Sequence, residues 1–191
     1  MPLSSVAVGD PVQASLNNRL IAHANGTPGR AIFTSNGVWS VPQGVFQFKV
    51  YLAGGGGGRG LDYPYGEGDI GYGGDGGPAP LCSKIITGQE TGSSFTITIG
   101  AGGAQGSDGG DSTFGALLTS NGGLHGQNSS GSSTVLPGLR GSHNGTITHT
   151  NGLFMYLGNL AKGEGQGYGT GGKFFDIYDL PAVGGICVIE W

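Results

Sequence analysis

Residues 45–58 read Val45-Phe-Gln-Phe-Lys-Val-Tyr-Leu-Ala-Gly-Gly-Gly-Gly-Gly58. In the first part, Phe46, Phe48, Val50 and Leu52 alternate with Val45, Gln47, Lys49 and Tyr51. That period of two predicts a β-strand with one deeply buried face and one mixed face. The strand then runs without a turn signal into backbone that carries no side chains. The pattern recurs at Phe95-Thr-Ile-Thr-Ile-Gly100, which opens into Ala-Gly-Gly-Ala-Gln-Gly-Ser-Asp-Gly-Gly110. A small β core from which glycine segments emerge is the expected plan.

Composition narrows the function classes. Glycine supplies 44 of 191 residues, apolar residues make up 36% and charged residues only 10%. That is enough apolar matter for one core, and too little charge for a disordered chain. The net charge is −4 and the eight cations are scattered. A nucleic-acid partner would call for a basic stripe, so none is expected. The first residues have neither a basic leader nor a long apolar run, and no stretch approaches the length of a membrane span. Synthesis in a cytoplasm as a soluble chain is the expectation. Cys82 and Cys187 each lie in an apolar strand-like run, and read as small buried hydrophobes; a bridge between them stays open.

Two parts are expected along the chain. In residues 1–29, Asp10 and Pro11 start a short helix that Gly26 ends. Its stripe of Val12, Leu16, Leu20, Ile21 and Ala24 needs a surface to cover, so the segment reads as an attachment or oligomerisation piece with Val12, Leu16 and Leu20 as its anchor. From residue 30 to 191 the pattern is of strands. Residues 31–34 and 38–41 read as a hairpin, followed by the central strand, then strands near 81–87, 94–99, 112–119, 174–178 and 185–191. This spacing predicts an all-β, antiparallel, jelly-roll-like sandwich with long glycine-rich loops.

Glycine falls at every third residue in Gly68, Gly71, Gly74 and Gly77, and again in Gly100, Gly103, Gly106 and Gly109. Three residues per turn is the period of polyproline II, in which glycine lets neighbouring backbones touch. Packed polyproline-II segments and irregular loops are both open readings. Tyr63, Tyr65, Tyr72, Tyr156 and Tyr168 lie in or beside these segments and are the candidate binding residues, since tyrosine among glycine, serine and asparagine is the composition of adaptable binding loops.

No chemistry-bearing motif is found. Gly54–Gly60 follows a strand but no Gly-Lys-Ser/Thr and no helix comes after it, so it does not read as a phosphate loop. Gly73–Gly77 and 107–111 lack the nonapeptide register of a calcium β-roll. His125, His143 and His149 lack ligand spacing, and no nucleophile elbow is present. The expectation is a protein without catalytic residues, metal or cofactor.

Phe33-Thr-Ser-Asn-Gly-Val-Trp-Ser-Val-Pro-Gln-Gly-Val45, followed by the apolar strand and the glycine run, resembles the opening of a glycine-rich domain of bacteriophage and prophage tail-fibre proteins. The likeness continues through Ile97-Thr-Ile-Gly-Ala-Gly-Gly103, Gly109-Gly-Asp-Ser-Thr-Phe-Gly115 and Gly184-Gly-Ile-Cys-Val-Ile-Glu-Trp191, and so covers about residues 31–191. The resemblance implies a non-enzymatic virion protein, commonly a homotrimer. Its loops would bind a host-surface receptor, a glycan or an outer-membrane protein, and its N-terminal segment would dock on other virion proteins. A purely structural capsid or tail subunit is the alternative, as is a secreted or surface glycine-rich binding protein, with or without calcium.

Overall fold

The computed structural model describes residues 28–66, 69–129, 146–149, 173–175 and 178–191. Its strands are β1 (Arg30–Phe33), β2 (Gly37–Ser40), β3 (Gln47–Ala53), β4 (Tyr63–Gly66), β5 (Asp69–Gly71), β6 (Leu81–Thr87), β7 (Ser94–Thr98), β8 (Ser112–Phe114), β9 (Leu118–Ser120), β10 (Thr146–His149), β11 (Lys173–Phe175), β12 (Tyr178–Leu180) and β13 (Ile186–Glu190). They form a five-stranded antiparallel sheet in the order β1-β13-β3-β6-β10 and a four-stranded one in the order β2-β7-β8-β9. Two short hairpins, β4-β5 and β11-β12, stand apart from both. The described residues contain no helix. The expected helix at 10–25, with Val12, Leu16 and Leu20, lies outside them.

Alternation explains the core. Phe48, Val50 and Leu52 from β3, Cys82 and Ile86 from β6, and Cys187 and Ile189 from β13 meet Trp39, Ile97, Phe114 and Leu118 of the other sheet in one buried cluster. The fold is therefore a β-sandwich, as the strand pattern predicts. Aromatic rings fill its middle. Trp39 meets Phe48 edge-on at 4.7 Å between ring centroids, and Phe95 stacks on Phe114 at 4.8 Å. Such pairs add to the stabilisation from area burial alone. The mixed face of β3 is more buried than its sequence suggests: Tyr51 and Ala53 join Leu81, Ile186 and Val188 in a second buried cluster on the opposite side of the sheet.

Three readings need correction, the first at 174–178, where the single strand expected is two, β11 and β12, paired with each other outside both sandwich sheets. Residues 31–34 and 38–41 are not a hairpin: β1 pairs with β13 and β2 with β7, in different sheets. The turn at 34–36 lets Phe33 and Trp39 approach the same core from opposite sides. The single strand expected at 112–119 is two, β8 and β9, paired through a turn at Gly115, whose φ of +50° is left-handed. The cysteine question also closes. Cys82 and Cys187 are free, and both register with Leu52, one from each side of β3. Two strand spacings of roughly 4.8 Å each hold them too far apart for a bridge.

The sandwich has two unlike poles. Strand ends at Ala53, Leu81, Thr98, Ser112, Ser120 and Ile186 all abut glycine segments at one pole. At the other, Gly29 and Trp191 exchange both backbone hydrogen bonds, at 2.9 and 3.1 Å, and Arg30 pairs with Glu190. Residues 28 and 29 thus lie at the end of the sandwich away from the 54–61 segment.

Candidate binding face on a glycine bundle

At the glycine pole the backbone of 54–61 runs outward as the axis of a bundle. The N–H groups of Gly55 and Gly58 donate to the carbonyls of Gly110 and Ser107, those of Gly57 and Gly60 to Gly77 and Gly74, and that of Gly56 to Val183. Its carbonyls at Gly55, Gly58 and Leu61 accept from Gly123, Gly126 and Ser129, and those at Gly56 and Arg59 from Gly103 and Gly106. Partners repeat every third residue. That is the polyproline-II period, so the packed reading fits 54–61 and the segments against it; of the two spaced runs, Gly68 lies outside the described residues, Gly71 lies in β5 and Gly106 sits at a turn with a φ of +73°.

The neighbours also bond one another. Gly74 and Gly77 donate to Gln127 and Leu124, Gly109 donates to Gly123, and Gly185 to Gly100, each at 2.8 or 2.9 Å. Along the axis most backbone N–H and C=O groups are paired, which offsets part of the entropy lost in ordering so glycine-rich a segment.

Side chains are excluded by close approach rather than by backbone conformation. A methyl group on Gly58 would lie 1.7 Å from the carbonyl oxygen of Ala104, and one on Gly55 1.9 Å from that of Ala101. Gly54, Gly57 and Gly60 face 121–129 in the same way. The third side of the axis carries Arg59, the first residue there with a side chain. The 121–129 segment obeys the same rule: Gly123 and Gly126 face 77 and 74, Gly122 and His125 face 109 and 108, and Leu124 and Gln127 are exposed. Two buried serines join bundle to sandwich. Ser112 Oγ accepts from Gly100 N–H, and Ser120 Oγ accepts from Gly54 N–H and donates to the Pro80 carbonyl.

The outer end of the bundle is tied by a polar knot. The Arg59 guanidinium, only 6% exposed, grips the Asp62 carboxylate with two hydrogen bonds. Asp62 also accepts from Gly73 N–H at 2.9 Å and from Gln105 Nε2, which in turn donates to the Gly60 carbonyl. The Arg59 hydrogen bonds, with lesser help from Gly73 and Gln105, hold the Asp62 carboxyl below the usual carboxylate range. Leu61 N–H donates to Asn128 Oδ1, and the Leu61 side chain lies over Gly106, whose φ of +73° turns the chain from 100–104 into 107–110. Further down, Asp108 accepts the His125 N–H at 2.7 Å and pairs with its ring at 2.6 Å, and these two contacts lower its pKa.

From this knot springs the β4-β5 hairpin, with Tyr63 opposite Gly71. The structure so brings three of the five candidate tyrosines onto one hairpin: Tyr63 and Tyr65 in β4 and Tyr72 just past β5. Tyr63 is 49% and Tyr72 47% exposed; the Tyr65 side chain lies outside the described residues, as do Tyr156 and Tyr168. Sequence reading passed over Leu61 and Leu124, which are 48% and 41% exposed on the same bundle. The three-residue period marks Leu124, since its neighbours Gly123 and Gly126 fill the inward positions. Nothing short of the contacts marks Arg59, Asp62 and Gln105 as a unit. Among the described residues no group of three or more His, Cys, Asp and Glu is placed to hold a metal ion.

The profile of a family described as a glycine-rich domain matches residues 32–182, and the chain belongs to that family. No curated relative matches the chain.

Proposed function

We propose that this protein is a non-enzymatic virion protein of a bacteriophage, a tail-fibre or spike-type subunit that attaches to the host surface through its glycine bundle. The observation that carries the reading is polarity. Residues 28 and 29 lie at the Trp191 pole, while the exposed Leu61, Tyr63, Tyr72 and Leu124 stand on the bundle at the opposite pole. A subunit fixed at one end and presenting aromatic side chains at the other suits attachment. The resemblance of the Phe33–Val45 phrase to tail-fibre domains supports the virion setting. Recognition commonly sits on loops that a rigid scaffold positions. Tyrosine contributes large contact area at low entropy cost. A homotrimer would place three such faces side by side, and avidity would then build affinity from weak single contacts.

The test is attachment to host cells by the variant with Tyr63, Tyr65 and Tyr72 all replaced by alanine. Its melting temperature should stay within about 2 °C of wild type, while attachment falls at least tenfold. Unchanged attachment, with Leu124→Ser equally silent, would leave a purely structural capsid or tail subunit. Mass by light scattering should give three chains per particle.

A further inference from the structure

We infer that Asp62 is a positioning residue, whose carboxylate fixes the attitude of the β4-β5 hairpin on the bundle and thereby makes the binding face; the inference rests on the reading above. Asp62 lies between the exposed Leu61 and Tyr63, and its acceptor bond to Gly73 N–H pins the residue next to Tyr72. One carboxylate therefore holds both roots of the hairpin. Its other bonds reach Arg59 on the bundle axis and Gln105 on the neighbouring segment, so the hairpin is referred to two pieces of backbone outside it.

Each oxygen of the Asp62 carboxylate accepts from Arg59, Oδ1 also from Gly73 N–H and Oδ2 also from Gln105. Arg59 is buried and donates to Asp62 with both terminal nitrogens, while Asp62 itself is 28% exposed. Removing Asp62 takes from the buried Arg59 two hydrogen bonds and an opposite charge, and loss of one member of a buried ion pair is costly. That makes a stiff joint out of a segment in which glycine would otherwise allow a wide range of angles. A binding face held in one attitude before contact spends less of its interaction energy on ordering. The knot is also remote from the sandwich: from Gly54 to Leu61 the axis reaches about 22 Å at roughly 3.1 Å per residue. Loss of the knot should therefore loosen the hairpin without melting the domain.

The experiment compares wild type with Asp62→Ala, Asp62→Asn and Asp62→Glu in the full chain, by amide hydrogen exchange, thermal melting and host-cell attachment. In Asp62→Ala the amides of Tyr63, Tyr65, Ile70, Gly71 and Gly73 should exchange at least tenfold faster, and attachment should fall at least tenfold. The β3, β6 and β13 amides should keep their protection. Asp62→Glu should restore part of both losses, and Asp62→Asn, which keeps an acceptor but not the charge, should fall between. In wild type the Gly73 amide proton should titrate with the Asp62 carboxyl, at a pKa below the ordinary aspartate value, a signature that simple packing would not give. Unchanged exchange at the hairpin overturns the inference, and so does melting of the whole domain in Asp62→Ala. A loosened hairpin with attachment intact in both Asp62→Ala and the triple tyrosine variant would remove the binding role and leave only a structural joint.

Discussion

Glycine is used in this chain for two reasons that a substitution can tell apart. At Gly58 the missing side chain is what matters, since an added methyl would overlap the Ala104 carbonyl. Gly58→Ala is expected to cost about 3 kcal/mol, the upper end for overpacking, because the obstacle is backbone, and to reduce soluble folded protein. At Gly88 a methyl would meet nothing, and only the φ of +72° favours glycine. Gly88→Ala should then cost about 1 kcal/mol. Chemical denaturation of the two variants checks the contrast; equal costs would contradict it. The cysteines give a second residue-level test. Burial pushes the Cys82 thiol up to about 11 and, with a small contribution from Cys82 itself, that of Cys187 up to about 12. Neither should react with a thiol reagent at pH 8 in the native protein, and both should react on unfolding.

Among the elements, the long apolar strands were legible in the sequence, the short ones β4, β5 and β10 inside glycine-rich stretches were not, and the bundle was legible only in part. The run at 46–52 carries an apolar face that a period of two reveals, 81–87 reads as a plain apolar run, and β3 and β6 lie there. Strand pairing was not legible, because Ala31–Phe33 and Val38–Val41 look the same whether they pair with each other or with β13 and β7. The glycine period of three was visible, but it cannot say which backbone lies against which. Gly54–Gly58, with no spacing at all, turned out to be the axis. Asp108 and His125, seventeen residues apart, meet only because two bundle segments do. The elements also divide in their response to acid. Asp62 and Asp108 have lowered pKa values in the fold. Their contribution is therefore complete above the unfolded value of about 3.9 and is lost as pH falls through the folded values. The bundle should loosen below about pH 4 before the sandwich does, which residue-resolved exchange between pH 5 and pH 2.5 would report. Simultaneous loss of both would contradict a separable bundle. In the sandwich, Phe48→Asp should abolish folding, since a lone charge among Trp39, Phe95 and Phe114 has no partner. Wild-type circular dichroism in that variant would refute the core assignment.

At the scale of the whole molecule, the sandwich is a socket and the glycine bundle is the part that projects. Deleting residues 1–27 should leave a domain that melts as wild type does but fails to assemble into particles; an unfolded truncation would place that segment in the core instead. The central claim is that glycine-rich chain here forms a hydrogen-bonded bundle rigid enough to present side chains. Its most direct test is hydrogen exchange of the glycine amides, read one by one in a labelled sample at neutral pH. The amides of Gly55, Gly57, Gly58, Gly60, Gly74, Gly77, Gly109, Gly123 and Gly126 each donate to a backbone carbonyl of another segment or of the axis. They should be protected about as well as those of β3 and β13 at neutral pH, by factors of roughly 1,000 or more. Exchange of these nine amides near the unprotected rate, beside protected strands, would mean that the glycine segments are loose loops and that no bundle presents the tyrosines.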